Sequence, residues 1–206
     1  MKSHLGDLRG RPCVLIGAGG HARVVADLAI ALGAEIIGVC DPGLAGEGLE
    51  KWQGLDVLGD DDYLLSVSPM KVFLLNGVGK MPGSSLRADL YRRFDEAGFT
   101  FPPLIHPAAW VSQGASVSNG AQVMAGAVIQ TGAFLGCNSI VNTRSSVDHD
   151  SHIGAHAHIA PGVTVCGDVS IGDHAFVGAG TTIIQGLCVS EKAFVKAGSL
   201  LTKDWI

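Results

Sequence analysis

His149 is the residue of this sequence best suited to chemistry, because an aspartate lies on each side of it in Asp148-His149-Asp150. A carboxylate that is hydrogen-bonded to one imidazole nitrogen fixes the tautomer and raises the basicity of the other nitrogen. A histidine supported in this way can remove a proton from an amine or hydroxyl nucleophile. We therefore predict that His149 is a general base, with a surface histidine of no catalytic role as the alternative.

Gly167 lies eighteen residues after His149. If eighteen residues make one coil of a stacked structure, the two residues lie in neighbouring coils, about 4.8 Å apart. A glycine N–H at that place can donate to the oxyanion that forms when a thioester is attacked. The pair predicts a base and an oxyanion donor on one edge of the protein.

A second group of residues that could bind a ligand is the turn Gly17-Ala18-Gly19-Gly20-His21-Ala22, which matches the pattern G-x-G-x-x-A. Glycines let a diphosphate approach the backbone, and the free N–H groups of a following helix stabilise its charge. Asp41 follows the next apolar segment and is placed to accept hydrogen bonds from a ribose or a base. His21 can bind the group beyond the diphosphate. The turn predicts nucleotide binding, and a purely structural tight turn is the alternative.

A six-residue repeat indicates the elements that must position His149, and it also accounts for many of the 29 glycines. The fifth residue of each hexad is mostly small, and glycine is common at the second and fourth positions. The first residue is aliphatic seventeen times in succession: Ile105, Val111, Val117, Val123, Ile129, Leu135, Val141, Val147, Ile153, Ile159, Val165, Ile171, Val177, Ile183, Val189, Val195 and Leu201.

A period of six predicts a prism in which each hexad forms one short strand and one corner, so that three hexads complete a coil. About five stacked coils would pair as parallel strands, with the first and fifth positions inward. His149, His152, His156 and His158 hold other positions and should face outward or lie at corners. His156 and His174 are eighteen residues apart and should stack, but no third ligand is evident, so we predict no metal.

Residues 12–104 have a different pattern, in which apolar strands alternate with helices. The second of the two helices should bury Leu86, Leu90, Tyr91 and Phe94 on one face. The predicted strands are Cys13–Ile16, Glu35–Cys40, Leu55–Leu58 and Lys71–Leu75, and the predicted helices are Ala22–Leu32 and Ser84–Ala97.

This first part predicts a small parallel α/β sheet, about one mononucleotide-binding half of a doubly wound fold. A dinucleotide normally spans two such halves, so a nucleotide linked to a smaller group fits better. The predicted domains are residues 1–103 and 104–206, joined at Phe101-Pro102-Pro103.

The composition excludes several classes of protein. With 47% hydrophobic and only 16% charged residues, the chain of 206 residues can bury a core and should not be disordered. The 14 basic residues are scattered and the net charge is −5, which argues against a nucleic-acid partner. The five cysteines lack CxxC spacing, so a reducing compartment fits best. The polar segment Met1 to Arg11 and the lack of any long apolar run predict a cytoplasmic protein without a membrane span.

The hexad repeat resembles that of the hexapeptide-repeat acyltransferases, whose coil is a left-handed parallel β-helix. The glycine turn after a first strand, Asp41 after a second, and the segment from Asn142-Thr143 through His149-Asp150 to His158 are similar to one branch of that family. This branch comprises sugar acetyltransferases, including the sialic acid O-acetyltransferase family and the bacillosamine-pathway N-acetyltransferases that act on UDP-4-amino sugars. The resemblance implies a homotrimer with acetyl-CoA lying along the coil edges between subunits.

The resemblance also implies roles for single residues. In the repeat, His149 would be the base, Asp150 its acidic partner, and Asn142 a substrate contact. His158 and the Gly167 amide would contact the thioester region of acetyl-CoA. The other implied contacts are Gly178, Ala179 and Ala197 in the CoA channel, Gly19, Gly20 and His21 at the diphosphate and sugar, Asp41 at the base or ribose, and Gly77 at the far wall.

The function predicted from these residues is direct transfer of an acetyl group from acetyl-CoA to the 4-amino group of a UDP-linked 4-amino-4,6-dideoxy sugar, without an acyl-enzyme. An O-acetyltransferase acting on sialic acid or another sugar hydroxyl is the first alternative. The second is a non-catalytic trimer that binds a nucleotide sugar as a scaffold or regulator. An NAD-dependent oxidoreductase is disfavoured, because nothing in the repeat offers hydride-transfer chemistry.

Overall fold

The computed structural model describes residue 8 and residues 12–206 of the chain. The prediction of a polar N-terminal segment falls mostly on residues 1–7 and 9–11, which lie outside the described residues. The chain divides into two compact units, one formed by residues up to Lys80 with Ser84–Pro102, the other by Met81–Gly83 with Pro103–Ile206. In the part of the chain that the structure describes, no helix is long and apolar enough to cross a membrane.

The first unit is a five-stranded sheet with helices. Its sheet has the order β3-β4-β2-β1-β5, in which only β3 and β4 are antiparallel neighbours. The strands are β1 (Cys13–Ile16), β2 (Ile36–Cys40), β3 (Lys51–Trp52), β4 (Leu55–Gly59) and β5 (Phe73–Asn76), and the helices are α1 (Gly20–Ala31), α2 (Pro42–Gly46), α3 (Asp61–Ser66) and α4 (Leu86–Glu96).

All six predicted elements of this unit are present, within a few residues of their predicted bounds. Three further elements were not predicted: the short helices α2 and α3 and the hairpin strand β3. Each short helix begins at an aspartate that accepts backbone N–H bonds as an N-cap, Asp41 for α2 and Asp60 for α3. The hairpin turns at Gln53 and Gly54, both with positive φ.

The predicted apolar face of α4 is right for Leu90, Tyr91 and Phe94, which are buried, but wrong for Leu86, which is 55% exposed. Arg87 is buried instead. Its guanidinium Nη1 donates to the carbonyl of Asn76 at 3.0 Å and to that of Val78 at 2.7 Å. Arg87 is tolerated inside because it satisfies carbonyl groups of the loop after β5.

The second unit is a parallel β-helix built from seventeen two-residue strands. They are β6 (Leu104–Ile105), β7 (Trp110–Val111), β8 (Ser116–Val117), β9 (Gln122–Val123), β10 (Val128–Ile129), β11 (Phe134–Leu135), β12 (Ile140–Val141), β13 (Ser146–Val147), β14 (His152–Ile153), β15 (His158–Ile159), β16 (Thr164–Val165), β17 (Ser170–Ile171), β18 (Phe176–Val177), β19 (Thr182–Ile183), β20 (Cys188–Val189), β21 (Phe194–Val195) and β22 (Leu200–Leu201).

These strands form three parallel sheets, which are the three faces of the prism. Sheet I contains β6, β9, β12, β15, β18 and β21, sheet II contains β7, β10, β13, β16, β19 and β22, and sheet III contains β8, β11, β14, β17 and β20. Neighbouring strands are offset by eighteen residues, as in the pairing of Val128 with Ser146. Every aliphatic residue that the hexad predicted is the second residue of a strand, and these residues form the core together with the small fifth-position side chains.

The fourth residue of most hexads occupies the left-handed region of backbone conformation, which turns the chain at the corner. Glycine is common there, but the position also accepts side chains, at Asn138, Arg144, Asp150, His156, Asp168, His174 and Lys192. The fold therefore places Asp150 at a corner, next to His149.

Candidate active site

His149 lies at the corner that follows strand β13 of sheet II. Its Nδ1 atom is 2.9 Å from Oδ2 of Asp150, and the left-handed conformation of Asp150, with φ 58°, turns the carboxylate toward the ring. The backbone N–H of His149 donates to Oδ1 of Asp148 at 2.8 Å. We call the column of corners after sheet II, which includes residues 148–151 and 166–169, the His149 edge.

The electrostatics of this corner favour a basic imidazole. The hydrogen bond that the ring donates to Asp150 raises the pKa of His149, and the negative charges of Asp148 and Asp168 act in the same direction. Because the Asp150 carboxylate can only accept, the neutral ring carries its proton on Nδ1 and leaves the Nε2 lone pair available. The side chain of His149 is 57% exposed, so Nε2 is open to a reactant.

Gly167 provides space for the His149 ring. A Cβ atom at this position would lie 2.6 Å from both Nε2 and Cε1 of His149. Any side chain at position 167 would therefore compete with the imidazole for the same volume. Among the described residues, the backbone N–H of Gly167 has no hydrogen-bond partner, so this donor remains available. The predicted pairing of His149 with Gly167 in neighbouring coils is confirmed, since Asp168 donates to the carbonyl of His149 at 2.9 Å.

The other predicted residues of the β-helix lie along sheet I and not on the His149 edge. Asn142, Gly178, Ala179 and Ala197 belong to the corners that follow strands β12, β18 and β21. We call this column of corners the Ala179 edge. The sequence predictions for the repeat thus fall on two different edges of the prism, and both edges border sheet II.

His158 is less exposed than its sixth position in the hexad predicted. The side chain points away from the core of the prism, but only 8% of the residue is exposed. Its ring packs on Phe176 with centroids 4.9 Å apart, and its Nε2 is 3.4 Å from Nδ2 of Asn142. The residues predicted to contact acetyl-CoA and substrate, His158 and Asn142, are therefore neighbours.

The glycine turn in the first unit leads into α1 without a capping side chain. The backbone N–H groups of Gly19 and Gly20 make no hydrogen bond within the described part of the chain. A Cβ at Gly19 would meet no atom within 4 Å, so the protein itself does not require a glycine there. Free amides and open space at the start of a twelve-residue helix are what an anion requires. The side chain of His21 lies beside Gly79, where a Cβ would come within 3.3 Å of it.

Asp41 and Gly77 have structural roles that their predicted ligand contacts did not include. The Asp41 carboxylate accepts three backbone N–H bonds: Oδ2 from Ala18 in the glycine turn, and Oδ1 from Gly43 and Leu44 at the start of α2. Gly77 packs against α1, because a Cβ there would lie 2.8 Å from Cβ of Ala22. Both residues hold the turn in place, and their predicted contacts with a ligand stay predictions.

His156 and His174 stack as predicted, with ring centroids 4.7 Å apart. Nδ1 of His156 is 3.0 Å from Nδ2 of Asn138, so an amide and not a further metal ligand stands beside the pair. Within the described residues, no group of three or more histidine, cysteine, aspartate or glutamate side chains could hold a metal ion.

The sequence reasoning missed Gly132, which lies one coil before Asp150. A Cβ at Gly132 would lie 2.2 Å from Oδ1 of Asp150. The eighteen-residue spacing that paired His149 with Gly167 also pairs Gly132 with Asp150, and it was the signal that could have identified this residue.

Each of the two units matches a known protein family. Residues 13–93 match the family described as PglD N-terminal domain, and residues 150–185 match the family described as bacterial transferase hexapeptide (six repeats). Comparison with curated proteins gives no match.

Solved structures match nearly the whole chain. The acetyltransferase domain of PglB from Neisseria gonorrhoeae FA1090 is 35% identical, with a TM-score of 0.87 over 95% of this chain and 93% of that one. The same domain in complex with acetyl coenzyme A is 34% identical, with a TM-score of 0.86 over 95% and 92%. PerB from Caulobacter crescentus, in complex with CoA and GDP-perosamine, is 33% identical, with a TM-score of 0.86 over 94% and 90%.

These matches confirm the family resemblance and the fold class, a Rossmann-like half domain followed by a left-handed parallel β-helix. The identity exceeds 30% over at least nine-tenths of each matched chain. The chain belongs to the hexapeptide-repeat acetyltransferases that carry a PglD-type N-terminal domain, and it is an acetyltransferase that uses acetyl-CoA.

Proposed function

We propose that the protein transfers an acetyl group from acetyl-CoA to the 4-amino group of a nucleotide-linked 4-amino-4,6-dideoxy sugar. The observation that carries this proposal is the His149–Asp150 pair, at 2.9 Å, with Gly167 leaving room for the ring. The relative PerB was solved with CoA and GDP-perosamine, a nucleotide-linked amino sugar, which supports an amine as the acceptor. We assign nucleotide-sugar binding to residues 1–103 and acetyl transfer to residues 104–206.

In the proposed reaction the sugar amine attacks the carbonyl carbon of the thioester while Nε2 of His149 accepts the amine proton. The oxyanion of the tetrahedral intermediate is stabilised by the free N–H of Gly167. The carbon–sulfur bond then breaks, and the proton held on Nε2 passes to the CoA sulfur. The products are the N-acetylated sugar and CoA, and His149 returns to its starting state without an acyl-enzyme.

In the first unit, we propose that the free amides of Gly19 and Gly20 bind the diphosphate, with His21 and the Gly77 wall next to the sugar. The uncapped N-terminus of α1 supports this assignment, because its positive dipole end stabilises an anion. Asp41 supports the same site by holding the turn at Ala18, and one lone pair of its carboxylate remains for the ribose or base. Our prediction for the base is uracil, and the GDP-linked substrate of PerB makes guanine the competitor to test.

We further propose that the enzyme acts as a homotrimer in which each site is completed by two copies. The His149 edge and the Ala179 edge both border sheet II, so three copies that turn sheet II toward a common axis bring these edges together in pairs. The outer face of sheet II carries exposed apolar side chains at Trp110 (52%) and Leu200 (66%), which fits burial between copies. Acetyl-CoA would then contact Asn142, His158, Gly178, Ala179 and Ala197 on one copy and Gly167 on its neighbour.

The decisive experiment measures CoA release by the purified full chain with a UDP-4-amino sugar, GDP-perosamine and free sialic acid as acceptors. We expect turnover with the nucleotide-linked amines only. Turnover with sialic acid alone would identify an O-acetyltransferase, and failure of calorimetry to detect acetyl-CoA binding would favour the non-catalytic scaffold.

His149→Ala tests the base, and His152→Ala is its matched control, because His152 belongs to the same cluster but stacks on Phe134. We expect His149→Ala to lower kcat by about 10²- to 10⁴-fold, the range for loss of general-base catalysis. Nucleotide-sugar binding, measured by thermal shift, should be unchanged. Near-normal turnover of His149→Ala would refute the assignment of His149 as the general base.

Subunit mixing tests the shared site. His149→Ala removes the base from one edge, and Ala197→Trp fills the other. If sites are shared, trimers reassembled from both variants contain some sites that carry neither substitution and regain activity. Absence of any recovery in mixed trimers would show that each chain holds its own complete site.

A further inference from the structure

Gly132 stands where the carboxylate of Asp150 needs space. The two residues occupy the same corner position in successive coils of the His149 edge, both in the left-handed conformation, with φ 73° and 58°. A Cβ at Gly132 would lie 2.2 Å from Oδ1 of Asp150, closer than any non-bonded contact allows. The other carboxylate oxygen, Oδ2, is the one that bonds His149.

The backbones of these two coils cannot separate to make room. The N–H of Asp150 donates to the carbonyl of Thr131 at 3.1 Å, and the N–H of Gly132 donates to that of Gly114 at 3.0 Å. Both hydrogen bonds belong to the regular ladder that holds the coils together. A side chain at position 132 would therefore displace the Asp150 carboxylate and not the backbone.

The opposite side of Asp150 is unfavourable for its carboxylate. Asp168 occupies the same corner position one coil later and carries a second negative charge. Like charges at the spacing of one coil, about 4.8 Å, repel each other. The space above Gly132 is thus the side on which the carboxylate can bond Nδ1 of His149 without approaching Asp168.

The conformation of Gly132 does not by itself explain why the residue is glycine. Seven other residues with side chains hold the same corner conformation, among them Asn138 and Arg144. Gly186, in the same column of corners, has φ 72° and would meet no atom within 4 Å if it carried a Cβ. What distinguishes Gly132 is the carboxylate that lies against it.

We propose that Gly132 is a positioning residue that keeps the Asp150 carboxylate hydrogen-bonded to His149. This inference rests on the proposed function for its catalytic consequence, because Gly132 acts on the base only through Asp150. It extends the proposed catalytic site to the coil that precedes Asp150. The His149–Asp150 pair is then flanked by two positions that lack side chains, Gly132 one coil before and Gly167 one coil after.

The test compares Gly132→Ala with Gly186→Ala in the full chain. Both substitutions impose the same backbone strain, so both should lower the melting temperature to a similar extent. Only Gly132→Ala must move the carboxylate, by about 1 Å, and a displacement of that size costs about 10²-fold in kcat. The KM for the nucleotide sugar should not change, and Gly186→Ala should keep the wild-type kcat.

If Gly132 had a purely structural role, its replacement would leave the pKa of His149 unchanged. This pKa is measured by NMR titration of the ring, with His149→Ala used to assign the signal. We expect this pKa to fall toward its ordinary value in Gly132→Ala and to stay raised in Gly186→Ala. Gly132→Ala should cause no further loss of kcat in an Asp150→Gly background, because no carboxylate is left to displace. An unchanged pKa in Gly132→Ala, or additive losses in the double variant, would overturn the proposal.

If Gly132→Ala does not fold, Gly132→Asn and Gly186→Asn replace the pair, because asparagine tolerates the left-handed conformation. The proposal and the proposed function can fail separately. A lowered His149 pKa with normal turnover supports the positioning role and refutes His149 as the base. Loss of turnover in His149→Ala with an unchanged pKa in Gly132→Ala supports the base and refutes the positioning role.

Discussion

Replacement of Gly167 by alanine is the sharpest test of the geometry at the His149 edge. The new Cβ would lie 2.6 Å from Nε2 and Cε1 of His149, whereas carbon contacts are comfortable at about 3.5 Å. The imidazole must therefore move by about 1 Å. A displacement of this size at a reacting group costs about 10²-fold in rate, or about 2.7 kcal/mol in the activation free energy.

The fold should tolerate this substitution. Gly167 does not adopt a positive φ, and the equivalent third position of other hexads already carries a side chain, as at Ala155 and Ala179. Alanine in place of glycine at a compatible position stabilises a protein by about 0.4–1 kcal/mol. We expect an unchanged or slightly higher melting temperature together with the loss of kcat.

The assay is steady-state CoA release at saturating acetyl-CoA and nucleotide sugar, with the melting temperature measured on the same sample. A fall in kcat without a fall in stability supports a steric effect on the His149 ring. Wild-type kcat in Gly167→Ala would refute the reasoning, because it would mean that the position of the ring does not matter for turnover.

Three other substitutions test other parts of the structure. Asp150→Asn should lower the pKa of His149 and move the acidic limb of the kcat/KM profile to lower pH, because the base stays deprotonated further into acid; an unmoved limb contradicts the pairing. Asp41→Ala should cost about 0.5–2 kcal/mol in urea unfolding through the lost cap of α2, and an unchanged midpoint contradicts that role. Gly178→Ala should cost about 1–3 kcal/mol, because its Cβ would lie 2.4 Å from the backbone nitrogen of Ala197; unchanged stability would show that the coils can separate.

The β-helix could be predicted from the sequence almost strand by strand, because one physical requirement repeats without interruption. Each coil must bury an aliphatic side chain at the same place, as Val123, Val141 and Ile159 do along sheet I. The α/β unit was predicted less completely. Helices α2 and α3 depend on single capping residues, Asp41 and Asp60, and a lone aspartate is a weak signal beside a repeat.

The candidate site was likewise predicted only in part from the sequence. The pairing of His149 with Gly167 follows from the eighteen-residue spacing alone. The burial of His158 does not, because the hexad fixes the direction of a sixth-position side chain but not what covers it. The three backbone bonds of Asp41 were also beyond the sequence, since Ala18 reaches it only when β1 and β2 pair.

The eighteen-residue coil also constrains how this enzyme can change in evolution. Insertion of one hexad between Gly132 and His149 would carry His149 and the residues after it by one face around the prism and away from Gly132, whereas insertion of three hexads would move them along the same edge by about 4.8 Å. Lengthening of the β-helix by whole coils thus preserves the orientation of every side chain that follows. Duplication or loss of a coil could lengthen or shorten the β-helix in fixed steps, without any new packing problem in the core.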